Sequence, residues 1–242
     1  MARRKPKPSR LRGALNTGAD GLRRLLRWAT LGAMGVAVML VLWVALYRFV
    51  DPPGGLYMLG ESRRLGAISH EWVDFDRIAP VMARSVVAAE DASFCRHFGF
   101  DMGAIREALS EGSGRGASTL TQQVVKNTFL WHGRNWVRKA LEALITPLVE
   151  VLWSKQRILE VYLNLAEFGT GVFGVEAAAR HHFNRSAADL TDGQAALLAA
   201  VLPAPQSRDA GDPDAAVRRR ARAIADGAAT IARDDRGACF GG

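Results

Sequence analysis

The sequence predicts a mostly α-helical domain behind a single N-terminal transmembrane helix. Residues 28–47 form an apolar segment without a charged side chain. From about residue 71 onward, apolar residues recur at the spacing of one helix face, and the strict alternation that is typical of strands is scarce. A chain of 242 residues has room for one domain and an appendage of this kind.

The formal net charge of +8 is concentrated at the N-terminus. Residues 1–27 carry nine basic residues and one acidic residue, Asp20, whereas the remaining 215 residues contain 23 basic and 23 acidic residues. The body of the protein therefore has no net field that would attract a polyanion, and a nucleic-acid partner is not expected. We assign residues 1–27 to a basic cytoplasmic arm.

The apolar segment Trp28–Tyr47 is twenty residues long and lies between Arg27 and Arg48. At about 1.5 Å per residue, a helix of this length matches a hydrocarbon core of about 30 Å. A cleavable signal peptide and a buried core helix are alternatives, but the segment is longer than a usual signal-peptide core and has no polar face. We expect an uncleaved, single-pass anchor in a bacterial inner membrane, with the following domain in the periplasm.

Residues 48–70 contain the turn-forming runs DPPGG and GESRRLG and are expected to be a linker before a domain at residues 71–242. Apolar spacing predicts a first domain helix that ends near Glu90. A later helix should start near Thr119, because Thr119 and Gln122 have the spacing of a capping box. Other helices are predicted at 102–110, 158–166, 174–180, 191–201 and 215–233.

An apolar stripe between Val137 and Val151 predicts a long helix that Pro147 should kink or interrupt. The two cysteines, Cys95 and Cys239, could pair in an oxidising compartment. Because Cys239 is close to a Gly-rich C-terminus that is expected to fray, the sequence favours two unpaired cysteines. No CxxC or His/Cys cluster of the kind that binds a metal is present, and no metal ligand is assigned.

Three segments carry the residue types of a catalytic site. In VVAAEDASFCRHFGFD, Glu90 and Asp91 follow a predicted helix and lie near His97. Burial and neighbouring charges at such a place can raise the pKa of a carboxyl group to a value useful for catalysis. A solvated acid at a capped helix end is the ordinary alternative.

The second segment is GRGASTLTQQVVKN, in which Gly114 and Gly116 would allow a ligand to approach the backbone. The helix start after Ser118 offers free N–H groups to an anion, and Lys126 lies about two turns along. The third segment, RKALE, places Arg138 and Glu142 on one helix side, with Lys139 beside them. A capped helix and a surface ion pair are the simpler interpretations of these two segments.

Taken in order, these segments and two later ones resemble the five motifs of the peptidoglycan glycosyltransferases, glycosyltransferase family fifty-one. The later ones are KQRILEVYLNLAEFGTGVFGVEAAARHHF and LTDGQAALLAAVLPAP. The resemblance covers about residues 72–205 and is closest to the monofunctional form, since no transpeptidase domain follows. His181 stands where an aromatic residue is common, Pro147 interrupts the helix after Glu142, and the segment after Pro205 matches loosely.

The resemblance implies a lysozyme-like fold and an inverting transferase that polymerises lipid II into β-1,4 glycan strands with release of polyprenyl diphosphate. It places the two catalytic glutamates on Glu90, as general base, and Glu142. The latter would order the basic residues or help to bind a divalent cation such as Mg²⁺. The residues that would line the substrate cleft are Asp91, Phe94, His97, Ser118, Thr119, Gln122, Gln123, Lys126, Asn127, Arg138 and Lys139.

The expected partners are lipid II, a lipid-linked glycan strand, the membrane and other wall-synthesis proteins. The segment FLWHGRNW at residues 129–136 interleaves aromatic and basic residues and is expected to dip into the membrane interface, or else to form a mobile loop with core-facing tryptophans. A membrane-anchored lytic glycosidase is a rival enzyme, but it does not need Lys126, Arg138 and Lys139 to meet a diphosphate. A non-catalytic scaffold of a wall-synthesis complex is the other alternative.

Overall fold

The computed structural model describes residues 10–111, 118–133 and 135–241. The chain divides into two compact units, Met1–Leu46 and Tyr47–Gly242. The first contains helix α1 (Arg10–Leu46), whose segment Gly21–Leu46 is long and apolar enough to cross a membrane by length and composition. The helix therefore begins well before the predicted start at Trp28. Gly114, Gly116, Arg134 and the first nine residues of the basic arm lie outside the described residues.

The second unit is mostly α-helical, as predicted. Its helices are α2 (Leu56–Leu65), α3 (Pro80–Glu90), α4 (Met102–Glu111), α5 (Leu120–Phe129), α6 (Trp136–Leu152), α7 (Lys155–Leu165), α8 (Val175–Phe183), α9 (Asp192–Val201) and α10 (Ala215–Arg233). Three short strands, β1 (Ser69–His70), β2 (Glu167–Gly169) and β3 (Val172–Phe173), form a sheet in the order β1-β3-β2. Strand β3 pairs in parallel with β1 and antiparallel with β2.

Most predicted helices are confirmed within a few residues. The helix that was expected to end near Glu90 ends there, and α5 starts after the N-cap Thr119 with the predicted capping box to Gln122. Pro147 does not break α6, which continues to Leu152. The three strands were not predicted, because two or three residues are too few to show an alternating pattern.

The segment that was predicted to be a linker, residues 48–70, contains helix α2 and strand β1. Met58 of α2 is buried, and the helix packs against α5. The hydroxyl group of Tyr57 donates a hydrogen bond to Glu167 Oε2 at 2.5 Å. Turn-forming residues on both sides of α2 mark its ends, and its short apolar face was too weak a pattern to identify it.

Two groups of helices build the core. Helices α3, α9 and α10 pack against one another, and α5 packs against both α6 and α7. Ile158, Leu159 and Leu163 of α7 are fully buried, so α7 contributes several large apolar side chains to this core. The end of α3, the start of α5 and the first half of α6 carry the residues of the predicted site.

Cys95 and Cys239 form a disulfide bond, which corrects the expectation that they are unpaired. The C-terminal tail does not fray, since it forms a 3-10 helix at Ala238–Phe240 that packs on α7. Phe240 is buried near Phe94, with ring centroids 6.4 Å apart. The apolar anchoring of Phe240 holds Cys239 beside Cys95, and the sequence separation of 144 residues concealed this proximity.

Candidate active site

Glu90 is the last residue of α3, and its side chain is 15% exposed. Gln123 Nε2 donates a hydrogen bond to Glu90 Oε2 at 3.1 Å, and Arg220 Nη2 lies 3.5 Å from Glu90 Oε1. Burial raises the pKa of Glu90, whereas Gln123, Arg220 and Lys126 act in the opposite direction. A carboxylate with a raised pKa that is still stabilised in its ionised form is suited to accept a proton.

The amide of Gln123 is oriented by Tyr162 of α7. The Tyr162 hydroxyl group donates to Gln123 Oε1 at 3.4 Å, so the amide nitrogen is turned toward Glu90. Tyr162 is fully buried, and burial together with the charge of Glu90 raises the pKa of the phenol well above its usual value. The phenol therefore stays protonated and remains a donor to Gln123.

The loop after Glu90 is fixed to the start of α5 through buried side chains. Asp91 Oδ1 lies 2.8 Å from His97 Nε2, and Asp91 Oδ2 accepts from the backbone N–H of Leu120 at 3.0 Å. Thr119 Oγ1 donates to the carbonyl oxygen of Gly99 at 2.7 Å. Asp91, His97 and Thr119 thus fix the loop to α5, and Asp91 and Thr119 also line a cavity beside Glu90.

Gly99 and Phe94 lie beneath the site. Gly99 has a positive φ of 81°, and a Cβ atom there would come within 2.6 Å of Thr146 Cγ2 on α6. Only glycine combines this conformation with such a close approach. Phe94 is fully buried under Lys155, whose Nζ lies 4.4 Å from the ring centroid. Phe94, expected to line the cleft, is therefore a core residue.

Glu142 is buried at the centre of a basic cluster formed by Arg138 and Lys139. Glu142 Oε2 accepts from Arg138 Nη1 at 2.8 Å, and Glu142 Oε1 pairs with Lys139 Nζ. Gln122 Nε2 is 3.4 Å from Glu142 Oε1, and Lys139 also donates to Ser118 Oγ at 3.3 Å. The predicted i, i+4 pair exists, but it is buried rather than a surface ion pair.

Lys126 of α5 lines a cavity of about 380 Å³ together with Gln123 and Asn127. Burial lowers the pKa of Lys126, and the nearby positive charges of Arg138 and Lys139 act in the same direction. The charges of Glu142 and Glu90 oppose this change. Lys126 is thus electrostatically coupled to both carboxylates, and a bound anion would stabilise its charged form.

A second cavity, of about 190 Å³, lies beside Glu90 and is also lined by Asp101, Ser118 and Thr119. Its wall residue Ser118 is the acceptor of the Lys139 hydrogen bond. The Glu90–Gln123 hydrogen bond connects a residue of this cavity to a residue of the larger one. Arg138 and Lys139 line a third cavity, of about 270 Å³, and the Lys139–Ser118 hydrogen bond links the basic cluster to the cavity that contains Glu90.

The carboxylate oxygens of Glu142 and Asp91 are already engaged by protein groups. Both oxygens of Glu142 are engaged by cationic side chains, and those of Asp91 bind His97 and Leu120. Among the described residues, no group of three or more His, Cys, Asp and Glu side chains is placed to hold a metal ion.

The residues of the larger cavity that were not predicted from the sequence include Tyr57, His132, Glu167 and Gln206. The ring of His132 stacks on that of Tyr57 at 3.6 Å, and burial with nearby Lys126 lowers the pKa of His132 to about 4. Gln206 Nε2 donates to the Tyr57 hydroxyl oxygen at 3.1 Å. Tyr57 lay in the assumed linker and Gln206 beyond the last motif, so only the contacts reveal them.

The chain is similar to known proteins over most of its length. The family model described as Transglycosylase matches residues 59–229, which extends past Pro205 and includes most of α10. The biosynthetic peptidoglycan transglycosylase of Jannaschia sp. (strain CCS1) is 61% identical over 214 residues, covering 88% of this chain and 90% of that protein. The protein of that name from Xanthomonas campestris pv. campestris (strain B100) is 48% identical over 225 residues, with 84% and 92% covered. One from Yersinia pseudotuberculosis serotype IB is 49% identical over 199 residues, with 76% and 82% covered. On these matches, the chain belongs to the transglycosylase family.

Proposed function

We propose that this protein polymerises lipid II into β-1,4 glycan strands and releases polyprenyl diphosphate during bacterial wall synthesis. The observation that carries the proposal is the link between Glu90, a largely buried carboxylate with a raised pKa, and the basic residues. Lys139 binds Ser118 in the cavity of Glu90, and Lys126 interacts electrostatically with both Glu90 and Glu142. A transfer from a sugar diphosphate needs a base at the attacking hydroxyl group and positive charge at the leaving group.

Glu90 would take the proton of the 4-hydroxyl group of the incoming lipid II sugar. The oxygen then attacks the anomeric carbon of the lipid-linked strand, while the bond from that carbon to the diphosphate breaks. A single displacement of this kind inverts the configuration at the anomeric carbon and gives the β-1,4 linkage. The raised pKa makes Glu90 a stronger base, and Gln123 and Arg220 help to keep it ionised.

Lys126, Arg138 and Lys139 would bind the diphosphate and stabilise the charge that develops as it leaves. Arg138 can present two parallel N–H donors to phosphate oxygens, whereas Lys126 and Lys139 act as point charges. Glu142 neutralises part of this cluster and holds Arg138 and Lys139 in place. A divalent cation such as Mg²⁺ would be carried by the diphosphate oxygens rather than by a carboxylate of this chain.

The candidate membrane helix bears on where the reaction takes place. The basic residues before Gly21–Leu46 favour an N-terminus in the cytoplasm, which would put the second unit in the periplasm of an inner membrane. Lipid II also stays in the bilayer through its prenyl chain, so an anchor confines enzyme and substrate to one plane and raises their effective concentration.

The direct test is incubation of the full chain in detergent micelles with labelled lipid II. We expect a glycan polymer that lysozyme digests and a stoichiometric release of polyprenyl diphosphate. Cleavage of preformed strands without polymerisation would instead identify a lytic glycosidase. If a sample that still binds lipid II shows no polymer and no cleavage, the remaining interpretation is a non-catalytic scaffold.

A further inference from the structure

The C-terminal helix α10 is held in a fixed register against α3. Its buried residues recur at intervals of four and three, which places them on one side of the helix: Val217, Ala221, Ile224, Ala228 and Ile231. Gly227 lies so close to α3 that a Cβ atom there would come within 3.0 Å of Ala88 Cβ. A sliding movement of α10 along α3 would break this contact and the buried apolar stripe.

This register places Arg220 at the C-terminal end of α3. Arg220 Nη2 donates to the carbonyl oxygen of Ala89 at 3.4 Å and lies 3.5 Å from Glu90 Oε1. The last carbonyl groups of a helix lack partners within the helix, and a cation there interacts favourably with the helix dipole. Arg220 thus binds the backbone before Glu90 and the Glu90 side chain at once.

Glu90 is contacted from opposite sides by α5 and α10. Gln123 holds Oε2, and Arg220 approaches Oε1. The titratable and charged groups that interact with Glu90 are Lys126 of α5, Asp91 of the following loop, Tyr162 of α7 and Arg220 of α10. Two of these, Lys126 and Arg220, are cations.

The two cations differ in what a substrate would do to them. Lys126 is coupled to Arg138, Lys139 and Glu142, so a bound diphosphate would engage it. Arg220 is not part of that cluster, and a guanidinium group keeps its charge at every relevant pH. Once an anion has neutralised Lys126, Arg220 is the cation that still favours the ionised form of Glu90.

We propose that Arg220 is a positioning residue of this site, which holds the Glu90 side chain in place and in its ionised form during glycosyl transfer. The inference rests on the proposed function in one respect, since it takes Glu90 to be the base. Arg220 does not touch the reacting atoms in this scheme and acts only through Glu90.

The test compares the full chain with Arg220→Gln, Arg220→Lys and the control Arg222→Gln in micelles. Arg222 is exposed on the same helix, so its replacement removes an equal charge without touching Glu90. The first readout is the pH profile of kcat/KM for lipid II polymerisation. The second is the pH dependence of carbodiimide labelling of Glu90. A carboxyl group reacts with a carbodiimide in its protonated form, and mass spectrometry quantifies the extent of labelling.

We expect Arg220→Gln to move the midpoint of both profiles upward by about one pH unit, at the low end of the effect of an opposite charge at this distance. Below the midpoint, this corresponds to a roughly tenfold loss of kcat/KM. Arg220→Lys keeps the positive charge, so its midpoints should lie close to those of the unmodified chain. The midpoints of Arg222→Gln should equal those of the unmodified chain.

Unmoved midpoints in Arg220→Gln, with kcat/KM unchanged or lowered equally at every pH, would overturn the inference. The labelling experiment does not depend on turnover. If the unmodified chain makes no polymer, the proposed function fails, while a shifted labelling midpoint would still support the role of Arg220 toward Glu90.

Discussion

Gln123 Nε2 donates a hydrogen bond to Glu90 Oε2 at 3.1 Å, and this contact joins residues that line two different cavities of the site. Glu90 belongs to the smaller cavity and Gln123 to the larger one, which also contains Lys126. The geometry gives the bond two roles. It orients the carboxylate, and it places the proton acceptor next to the side chains that would bind the leaving group.

The first prediction concerns the general base. Glu90→Gln keeps the size of the side chain but removes its ability to accept a proton, so polymerisation of lipid II should fall by about 10²–10⁴-fold. The variant should retain binding of lipid II, because the basic cluster is unchanged. Glu107→Gln, at an exposed position on α4, is the matched control and should leave the rate unaltered. Turnover at the normal rate in Glu90→Gln would exclude Glu90 as the base.

The second prediction is the position of the acidic limb of the pH profile. Burial raises the pKa of Glu90, and a base acts only when it is ionised. The value of kcat/KM should therefore fall as the pH decreases through a midpoint above the ordinary glutamate value of about 4.3. The residual activity of Glu90→Gln should lack this limb. A midpoint at or below about 4.3 would show that Glu90 is not perturbed, or that it is not the titrating group.

The third prediction is that Arg138 and Glu142 are strongly coupled. Removal of Glu142 leaves Arg138 without its carboxylate partner, and removal of Arg138 leaves buried Glu142 with Lys139 as its remaining ion-pair partner. Each single change should destabilise the fold, whereas removal of both should cost less than the sum of the two. A double-mutant cycle of Arg138→Gln and Glu142→Gln, followed by thermal denaturation, should give a coupling free energy of about 1–3 kcal/mol. If the effects of the two single substitutions on the free energy of unfolding simply add up in the double variant, the two side chains are not coupled. Both variants that lack Arg138, the single and the double, should also bind lipid II more weakly than the unmodified chain.

The fourth prediction concerns the disulfide bond between Cys95 and Cys239. It closes a long loop and ties the segment after Glu90 to the C-terminal 3-10 helix. Its removal should lower the free energy of unfolding by about 2–4 kcal/mol. For a domain of this size this corresponds to a decrease in Tm of roughly 5–15 °C.

Thermal denaturation with and without a reductant measures this effect. The Cys95→Ser/Cys239→Ser variant should have the lower Tm and should not respond to the reductant. A Tm that is the same in all four samples would show that the buried Phe240 alone secures the tail. Polymerisation should decrease in parallel, because Asp91 and His97 lie in the segment that the bond restrains.

The sequence contained the local features of this site, and the structure supplied the distant contacts. The end of α3 at Glu90, the capping box at Thr119 and the pair of Arg138 with Glu142 depend on residues within four positions of one another. Helix periodicity is enough to predict such features.

The contacts of Arg220 with Glu90 and of Tyr57 with Glu167 join residues more than 100 positions apart. The amphipathic pattern of α10 predicted a helix, but it could not identify α3 as its partner or the register between them. The disulfide bond was missed for the same reason, because the burial of Phe240 depends on the completed fold.

The last prediction concerns an exposed apolar surface near the basic cluster, formed by Trp131, Trp136, Val137, Leu144 and Val151. Their exposed fractions run from 38% for Trp131 to 90% for Trp136, and the last four lie on α6. Trp136 is on α6 and does not face the core, so the alternative of a loop with core-facing tryptophans is wrong for this residue, and Trp131 is partly exposed. Phe129 and Leu130 of the same segment are buried, so only part of the predicted interfacial segment is available to a membrane.

Aromatic and aliphatic side chains beside basic residues are typical of a surface that enters the membrane interface. A chain of residues 47–242, which form a compact unit, should bind to vesicles of anionic lipids, and Trp131→Ser/Trp136→Ser should weaken that binding about tenfold or more. Leu59→Ser, at an exposed apolar position on α2, serves as the control and should bind as the unmodified chain does. Sedimentation with vesicles measures the partition. Equal partition of all three proteins would assign the apolar face of α6 to something other than the bilayer.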